Sequence, residues 1–369
     1  MRLAWYVWSS LVSVTSILVG SYWDISWHMS IGRDSFWTPA HVAIQLGGLT
    51  AGVTGAVLVI ATTLRHRAPL RPASIGVWGF RGPFGAFLGA WGAATMLVSA
   101  PFDNWWHAAY GLDVKILSPP HAVLTLGVLG VSVAGVLLVL ATMNRATGAE
   151  RTRLGWVLLA IGGEILVLSM TAIIEHTFRS NLHRADAYRA VALVAPLILL
   201  ALSRASAHRY AATLLAVFYT GFLATMVWLF PLFPAEPKLG PVYQPITHFI
   251  PLEFPLLLVV PAYALDLARH RLAHWPRWRL APVLGTLFLA TFVAAEWPFA
   301  TFLQSPAARN ALFGADYFAY FIQPGWRVAR FEFFADAHPL RDFAEAFGAA
   351  AITSYLGLVL GDIMREVRR

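Results

Sequence analysis

Long apolar runs dominate this chain, and short segments that contain arginine, proline and glycine separate them. A helix of about 20 apolar residues spans the hydrocarbon core of a bilayer. By that measure the pattern predicts ten transmembrane helices, and so an all-α, polytopic integral membrane protein. The predicted helices lie near residues 3–28, 39–64, 83–107, 119–143, 154–176, 188–203, 210–231, 247–267, 281–303 and 343–363.

The predicted helices fall into two regions. Residues 1–150 contain the first four helices, which repeat one helical hairpin with an offset of about 80 residues. Residues 151–369 contain the other six, which carry no motif that assigns them a role. Their long outer loop, near residues 304–342, is rich in aromatic residues. This loop is predicted to form an interfacial amphipathic helix or to cap the region that holds the candidate metal ligands described below.

The composition excludes a soluble globular protein. Of the 369 residues, 58% are hydrophobic and 12% are charged, whereas about a quarter are charged in a typical soluble domain. The chain contains no cysteine, which excludes disulfides, cysteine-ligated zinc, iron–sulfur clusters and thiol nucleophiles. With seven methionines it also supplies few thioether ligands for soft metals.

The basic residues predict how the chain is oriented. Of the 27 lysines and arginines, 17 lie at the termini and in alternate short loops. They are Arg2, Arg65, Arg67, Arg71, Arg81, Arg145, Arg151, Arg153, Arg204, Arg209, Arg269, Arg271, Arg277, Arg279, Arg365, Arg368 and Arg369. By the positive-inside rule this side is cytoplasmic, and both termini lie there. The rule accounts for the net charge of +8 without nucleic acid. The predicted partner is the lipid bilayer, and the predicted location is a bacterial inner membrane.

Histidine is concentrated on the opposite, outer side of the predicted bundle. Eight of the 12 histidines fall there. They are His28, His41, His107, His121, His176, His183, His248 and His338. Because imidazole is a common metal ligand and proton carrier, the outer face is where chemistry is expected.

One motif connects the first two predicted helices. Asp24 and His28 are four residues apart near the end of the first helix, and His41 follows after twelve residues. Residues four apart lie on one face of a helix, one turn from each other. Thr38-Pro39 is expected to cap the second helix with its hydroxyl and to place His41 in the first turn. The hairpin therefore brings Asp24, His28 and His41 together.

The same motif connects the third and fourth predicted helices. Asp103 and His107 are four residues apart, and His121 follows after thirteen residues. Ser118-Pro119 stands where the first motif has Thr38-Pro39. Singly, any of these residues could be an interfacial polar side chain, but a repeated set of costly ionisable residues favours a function. One carboxylate and two imidazoles form a ligand set for copper, zinc or non-haem iron.

The first motif resembles a known family. Asp24-x3-His28, followed by Arg33-Asp34-x3-Thr38-Pro39-x-His41, is similar to the metal-binding segment of the C subunit of particulate methane monooxygenase and ammonia monooxygenase. In that family these membrane residues bind copper near the periplasmic face. The resemblance implies that Asp24, His28 and His41 form a copper site facing the periplasm.

The second motif extends this resemblance. The family has an asparagine and a histidine four residues apart, and a further histidine shortly after a proline. Here Asp103, His107 and His121 occupy those positions, so Asp103 stands where the family has asparagine. The resemblance implies a second copper site, formed by Asp103 and His107 with His41 or His121. It covers two windows of about 20 residues, and the chain has no cupredoxin-like soluble region.

Two functions follow from these motifs. In the first, the chain is a copper enzyme or the copper-bearing subunit of one, and it oxidises a small apolar substrate with O2. Such an enzyme needs an electron donor, and other membrane subunits or copies of the chain are expected partners. In the second, the chain binds, stores or transports copper or zinc without catalysis. A third function, a structural or haem-binding membrane subunit, is less favoured because it does not explain why Asp24 and Asp103 each lie four residues before a histidine.

Other ionisable residues lie in or near the apolar runs. They are Glu175 and His176 with Arg179 and His183, then His248 with Glu253, and finally Glu164 and Glu296. The first group is interpreted as an interfacial polar cluster or as a degenerate third copy of the hairpin motif. The second group could supply a supporting ligand or a proton carrier. The last two glutamates are expected to face the interior of the bundle, paired with arginine.

Overall fold

A computed structural model describes residues 3–32, 35–111, 118–206 and 208–369. Helices account for 70% of these residues and strands for 2%, which confirms the all-α class. Arg2, Arg33 and Asp34, which enter the sequence predictions, lie outside the described residues.

Eleven helices occur in the described ranges. They are α1 (Trp5–Ser30), α2 (Pro39–Leu64), α3 (Phe84–Tyr110), α4 (Pro119–Met143), α5 (Gly148–Thr171), α6 (Ile174–Thr177), α7 (Ala185–Ala205), α8 (Ala211–Leu229), α9 (Val259–Arg271), α10 (Arg277–Leu303) and α11 (Pro339–Glu366). In these ranges, eight helices are long and apolar enough to cross a membrane: α2 to α5, α7, α8, α10 and α11. This supports a membrane protein. Helix α1 is long but rich in serine, and α9 has only 13 residues.

The predicted helix at 247–267 is wrong over its first half. No helix occurs between residues 233 and 258, and α9 begins at Val259. Eight prolines lie between residues 231 and 261, and proline both removes a backbone donor and restricts the residue before it. Most of residues 249–258 are nevertheless buried. Their backbone is partly satisfied by side chains, since Ile250 donates to Ser30 Oγ (2.7 Å) and Leu257 to Glu296 Oε2 (2.7 Å).

A small β-hairpin lies between α2 and α3 and was not predicted. Strands β1 (Ile75–Val77) and β2 (Phe80–Gly82) pair antiparallel. At the two-residue turn both φ angles are positive, 49° for Trp78 and 85° for Gly79, as in a type I′ turn. Strands of three residues are too short for their alternating pattern to predict them.

The chain forms two compact units. The first comprises Met1–Asp24, Ser35–Ile165 and Met364–Arg369, and the second comprises Ile25–Asp34 and Leu166–Ile363. The proposed regions 1–150 and 151–369 remain a prediction. In the second unit the loop from residue 304 to 338 contains a 3-10 turn, Pro306–Ala308, and no α-helix. The predicted interfacial helix in this loop is therefore wrong.

In the first unit, a row of serines joins α1 to α2. Ser9, Ser13, Ser16 and Gly20 recur every three or four residues, so they share one face of α1. The hydroxyl contacts to α2 are Ser9 Oγ to Thr54 Oγ1 (2.5 Å), Ser13 Oγ to Gly47 O (2.6 Å) and Ser16 Oγ to Ala43 O (2.7 Å). Such bonds and small residues hold helices together in membranes. We call this face the serine seam; its next turn carries Asp24.

Met96 fixes the register of the other helices of this unit. Its side chain is fully buried on α3. A Cβ added at Gly48 of α2 would lie 3.0 Å from Met96 Sδ, and one at Gly127 of α4 would lie 2.6 Å from Met96 Cγ. His41 lies two turns before Gly48 on α2, and Asp103 lies two turns after Met96 on α3, so this register brings His41 to the level of Asp103. The same end of the α1 to α4 bundle therefore carries both motifs.

Candidate metal centre

The first motif forms a compact group of donors. Asp24 and His28 lie one turn apart on α1, and His41 lies in the first turn of α2. His41 Nε2 is 3.0 Å from Asp24 Oδ1, and both side chains are 21% exposed. One donor atom from each of the three residues lies within 4.8 Å of the other two. The serine seam brings Asp24 and His41 together because it holds the same faces of α1 and α2 in contact.

The ring of His41 is held by the backbone of the preceding turn. Its Nδ1 lies 3.0 Å from the Ser35 carbonyl oxygen. A carbonyl oxygen only accepts, so Nδ1 must carry the hydrogen and donate it. In the neutral ring the lone pair is then on Nε2, which faces Asp24. Metal-binding histidines are commonly oriented by such a bond from the second nitrogen.

The expected hydroxyl caps on α2 and α4 are wrong. Neither Thr38 nor Ser118 makes a side-chain hydrogen bond to its helix. The Thr38 hydroxyl instead donates to the Ser35 carbonyl (2.6 Å) and accepts the Ser35 N–H (2.9 Å). The turn before α2 therefore uses the group that would otherwise cap the helix. The prolines do occupy the first helical position, as predicted.

The second motif has the same components with longer distances. Asp103 Oδ2 lies 3.3 Å from His107 Nε2, and Asp103 Oδ1 lies 3.8 Å from His121 Nε2. His107 Nδ1 lies 3.2 Å from the Gly111 carbonyl oxygen, so a backbone carbonyl again orients the ring. Gly111 has a φ of 87°, which favours glycine. Asp103 therefore lies between two imidazoles.

The first triad accommodates a metal ion better than the second. Metal–nitrogen and metal–oxygen bonds are about 2.0–2.2 Å long, so two donors of one ion lie at most about 4.4 Å apart. Donors within 4.8 Å need only small side-chain movements to reach this spacing. In the part of the chain that the structure describes, only the first triad meets this spacing.

No family model, no curated protein and no solved structure matches this chain. The resemblance to the C subunit of the copper monooxygenases therefore depends on the two motifs alone.

The two interior glutamates, Glu164 and Glu296, are buried, as expected, but among the described residues neither pairs with arginine. Glu164 accepts a hydrogen bond from the Thr15 hydroxyl, and Glu296 accepts one from the Leu257 backbone. Their pairing with arginine was therefore a wrong prediction. The sequence pattern could not reveal either partner, because both lie far away in the chain.

The other polar clusters have partners of their own. Glu253 Oε1 lies 3.8 Å from Arg179 Nη1, and His176 Nδ1 lies 3.1 Å from Asp186 Oδ2. His183 stacks between two aromatic rings, as described below. Among the described residues none of these belongs to a triad with the spacing of the first motif. They are better explained as structural contacts of the second unit.

His183 predicts a pH dependence of stability. Its ring lies nearly parallel to those of Trp297 and Phe333, at centroid distances of 4.3 and 3.6 Å. Burial lowers the pKa of His183 from 6.5, and its bond to the Trp297 carbonyl opposes part of this effect. The folded chain thus binds this proton less readily than the unfolded chain. The contribution of neutral His183 to the free energy of unfolding is therefore fully present above pH 6.5, the ordinary pKa of histidine. It is lost as the pH falls from there through the lower pKa of His183 in the folded chain.

We expect the Tm in detergent to decrease as the pH is lowered from about 7 to about 5. A His183→Phe variant keeps the stacking but has no titrating ring, so its Tm should decrease less. The measurement is a thermal scan of both proteins across this pH range. Equal pH slopes for the two proteins would contradict the assignment of this effect to His183.

Proposed function

We propose that this chain is a copper-binding integral membrane protein, with the primary site at Asp24, His28 and His41. The observation that carries the proposal is the approach of these three donors to within 4.8 Å at the start of α2. The donor set suits copper, with zinc or non-haem iron as alternatives. Asp103, His107 and His121 form a second, looser site on the neighbouring hairpin.

The proposal extends to oxidation of a small apolar substrate. Three protein ligands leave coordination positions open, and copper in such a site can activate O2. The helices would admit an apolar substrate from the bilayer, while Asp24, His28 and His41 would hold the metal. Electrons would come from a separate donor, and other membrane subunits or further copies of the chain would complete the enzyme. This role draws on the resemblance to the C subunit.

The proposed orientation places both sites on the outer face. The basic loops would lie in the cytoplasm, together with both termini. The outer ends of α1 to α4 would then face the periplasm of a bacterial inner membrane. Copper delivered outside the cell would reach the site without crossing the bilayer.

A second candidate is metal binding without catalysis. The exposure of Asp24 and His41, each 21%, favours it because an accessible site exchanges metal readily. In this case copper or zinc would be stored or transferred, and the second triad would receive the ion. Oxygen-dependent turnover by metal-loaded protein would distinguish an enzyme from such a store.

Metal content tests the proposal directly. We expect purified wild-type protein, loaded with Cu(II) or Zn(II) and then desalted, to retain about one or two ions per chain. An Asp24→Ala/His28→Ala variant should lose the tightly bound ion, because one donor cannot hold it. Elemental mass spectrometry gives the stoichiometry. An Asp103→Ala/His107→Ala variant serves as the matched comparison and should lose only the weaker binding. Wild-type protein that retains no metal would overturn the proposal.

A further inference from the structure

The Ser35 carbonyl oxygen is the common acceptor of the turn before α2. It accepts from the Thr38 backbone N–H (2.9 Å), the Thr38 hydroxyl (2.6 Å) and His41 Nδ1 (3.0 Å). The Thr38 hydroxyl also accepts the Ser35 N–H (2.9 Å). Thr38 is 4% exposed, so water competes little for these bonds. The Thr38 side chain thus closes the Ser35–Thr38 turn, and the Ser35 carbonyl of this turn holds the imidazole of His41.

We propose that Thr38 is a positioning residue for the metal centre. Its hydroxyl fixes the Ser35–Thr38 turn, and the Ser35 carbonyl then fixes the ring of His41 with Nε2 toward Asp24. Thr38 acts through Ser35 and is not itself a ligand. This inference rests on the proposed metal-binding function and assigns a specific residue to the control of that site.

The physical basis is the freedom of the imidazole ring. Without a partner for Nδ1, the ring can rotate and either nitrogen can carry the hydrogen, so fewer molecules present Nε2 as a lone-pair donor. Loss of such an orienting partner typically weakens metal binding by about 10- to 100-fold. The second motif achieves the same orientation differently, through the Gly111 carbonyl. The effect of Thr38 should therefore be confined to the first site.

The test compares Thr38→Val with Thr38→Ser, with Cu(II) alone as the probe. Valine has the shape of threonine without the hydroxyl, and serine keeps the hydroxyl. We expect Thr38→Val to bind Cu(II) about tenfold or more weakly in competition with a chelator, and Thr38→Ser to remain within about twofold of wild type. Pulsed electron paramagnetic resonance should show altered coupling to the remote imidazole nitrogen in Thr38→Val only. That coupling depends on the hydrogen bond of Nδ1, which a packing defect alone would leave unchanged.

A matched control lies on the same helix. The Thr50 hydroxyl donates to the Leu46 carbonyl (2.7 Å), within α2 and away from the turn. Thr50→Val makes the same chemical change, and we expect wild-type affinity and an unchanged spectrum. Thermal unfolding of each variant shows that it is folded. Thr38→Ala removes the same hydroxyl with a smaller side chain, and it replaces Thr38→Val if valine prevents folding.

The outcomes separate this inference from the proposed function. Wild-type affinity and an unchanged nitrogen coupling in Thr38→Val or Thr38→Ala would overturn the positioning role and leave metal binding intact. Weak binding that Thr38→Ser does not restore would assign Thr38 to packing and also overturn it. If wild-type protein binds no copper, both proposals fail together.

Discussion

Replacing Gly20 with leucine should separate α1 from α2 and dismantle the proposed metal site at Asp24, His28 and His41. A Cβ at this position would lie 2.7 Å from Ile44 N, 2.8 Å from Ile44 Cγ1 and 2.9 Å from Ala40 O. Ile44 N and Ala40 O are backbone atoms, which cannot avoid the clash by a change of rotamer, so α1 and α2 must move apart. Overpacking of this kind costs about 2–3 kcal/mol. Because Gly20 lies one turn from Asp24, the displacement should also remove Asp24 from His41.

Thermal or denaturant unfolding in detergent measures the loss of stability, and Cu(II) titration measures the loss of the site. Gly221→Leu is the matched control. Gly221 also lies in a long apolar helix, α8, but a Cβ there has no heavy atom within 4 Å. Its substitution should cost little and leave metal binding unchanged. If Gly20→Leu were as stable as Gly221→Leu and still bound copper, the close approach of α1 to α2 would be disproved.

Replacing Glu253 with alanine should destabilise the second unit strongly. The Arg179 side chain is only 5% exposed, and its guanidinium lies over the rings of Phe318 and Phe331, at 5.2 and 5.5 Å. Glu253 is its anionic partner, and Glu253 Oε2 also accepts the Arg179 backbone N–H (2.5 Å). Removing one member of a buried pair leaves an uncompensated charge and costs about 3–5 kcal/mol. The lower end of this range is expected, because the ion pair is long at 3.8 Å.

An exposed pair in the same unit provides the control. Arg330 Nη2 lies 2.9 Å from Glu332 Oε2, but both side chains are more than 40% exposed. Glu332→Ala should therefore change the free energy of unfolding by less than about 1 kcal/mol. Denaturant unfolding of both variants gives the comparison. Equal, small losses for Glu253→Ala and Glu332→Ala would mean that the aromatic rings alone stabilise Arg179.

The sequence predicted those helices whose apolar runs have clear ends. Helices α2 and α4 begin at Pro39 and Pro119, as expected, because proline is favoured at the first helical position. The apolar composition of residues 247–258 predicts a helix, but Pro251 and Pro255 interrupt it. Hydropathy measures transfer to lipid, whereas proline acts on backbone geometry, and here geometry decides the structure.

The donors of the site could be predicted from spacing, but their orientation could not. Four residues along a helix place Asp24 beside His28 whatever surrounds them. The bond from His41 to Ser35 depends on the path of the turn, and the looser spacing around Asp103 depends on how α3 and α4 pack. Neither leaves a periodic pattern. The glycines that follow α1 and α3, Gly32 and Gly111, have positive φ angles of 80° and 87°, and such glycines are local signals of a special backbone conformation.

The proline-rich segment before α9 has a consequence for biogenesis. A helix can enter the bilayer alone because its own backbone supplies its hydrogen bonds. Residues 249–258 lack this property, since Ile250 and Leu257 depend on Ser30 of α1 and Glu296 of α10. The ribosome synthesises α10 after this segment. Glu296, the hydrogen-bond partner of Leu257, is therefore still missing when residues 249–258 have been made. Its final placement is therefore a late step of assembly, after insertion of the helices that flank it.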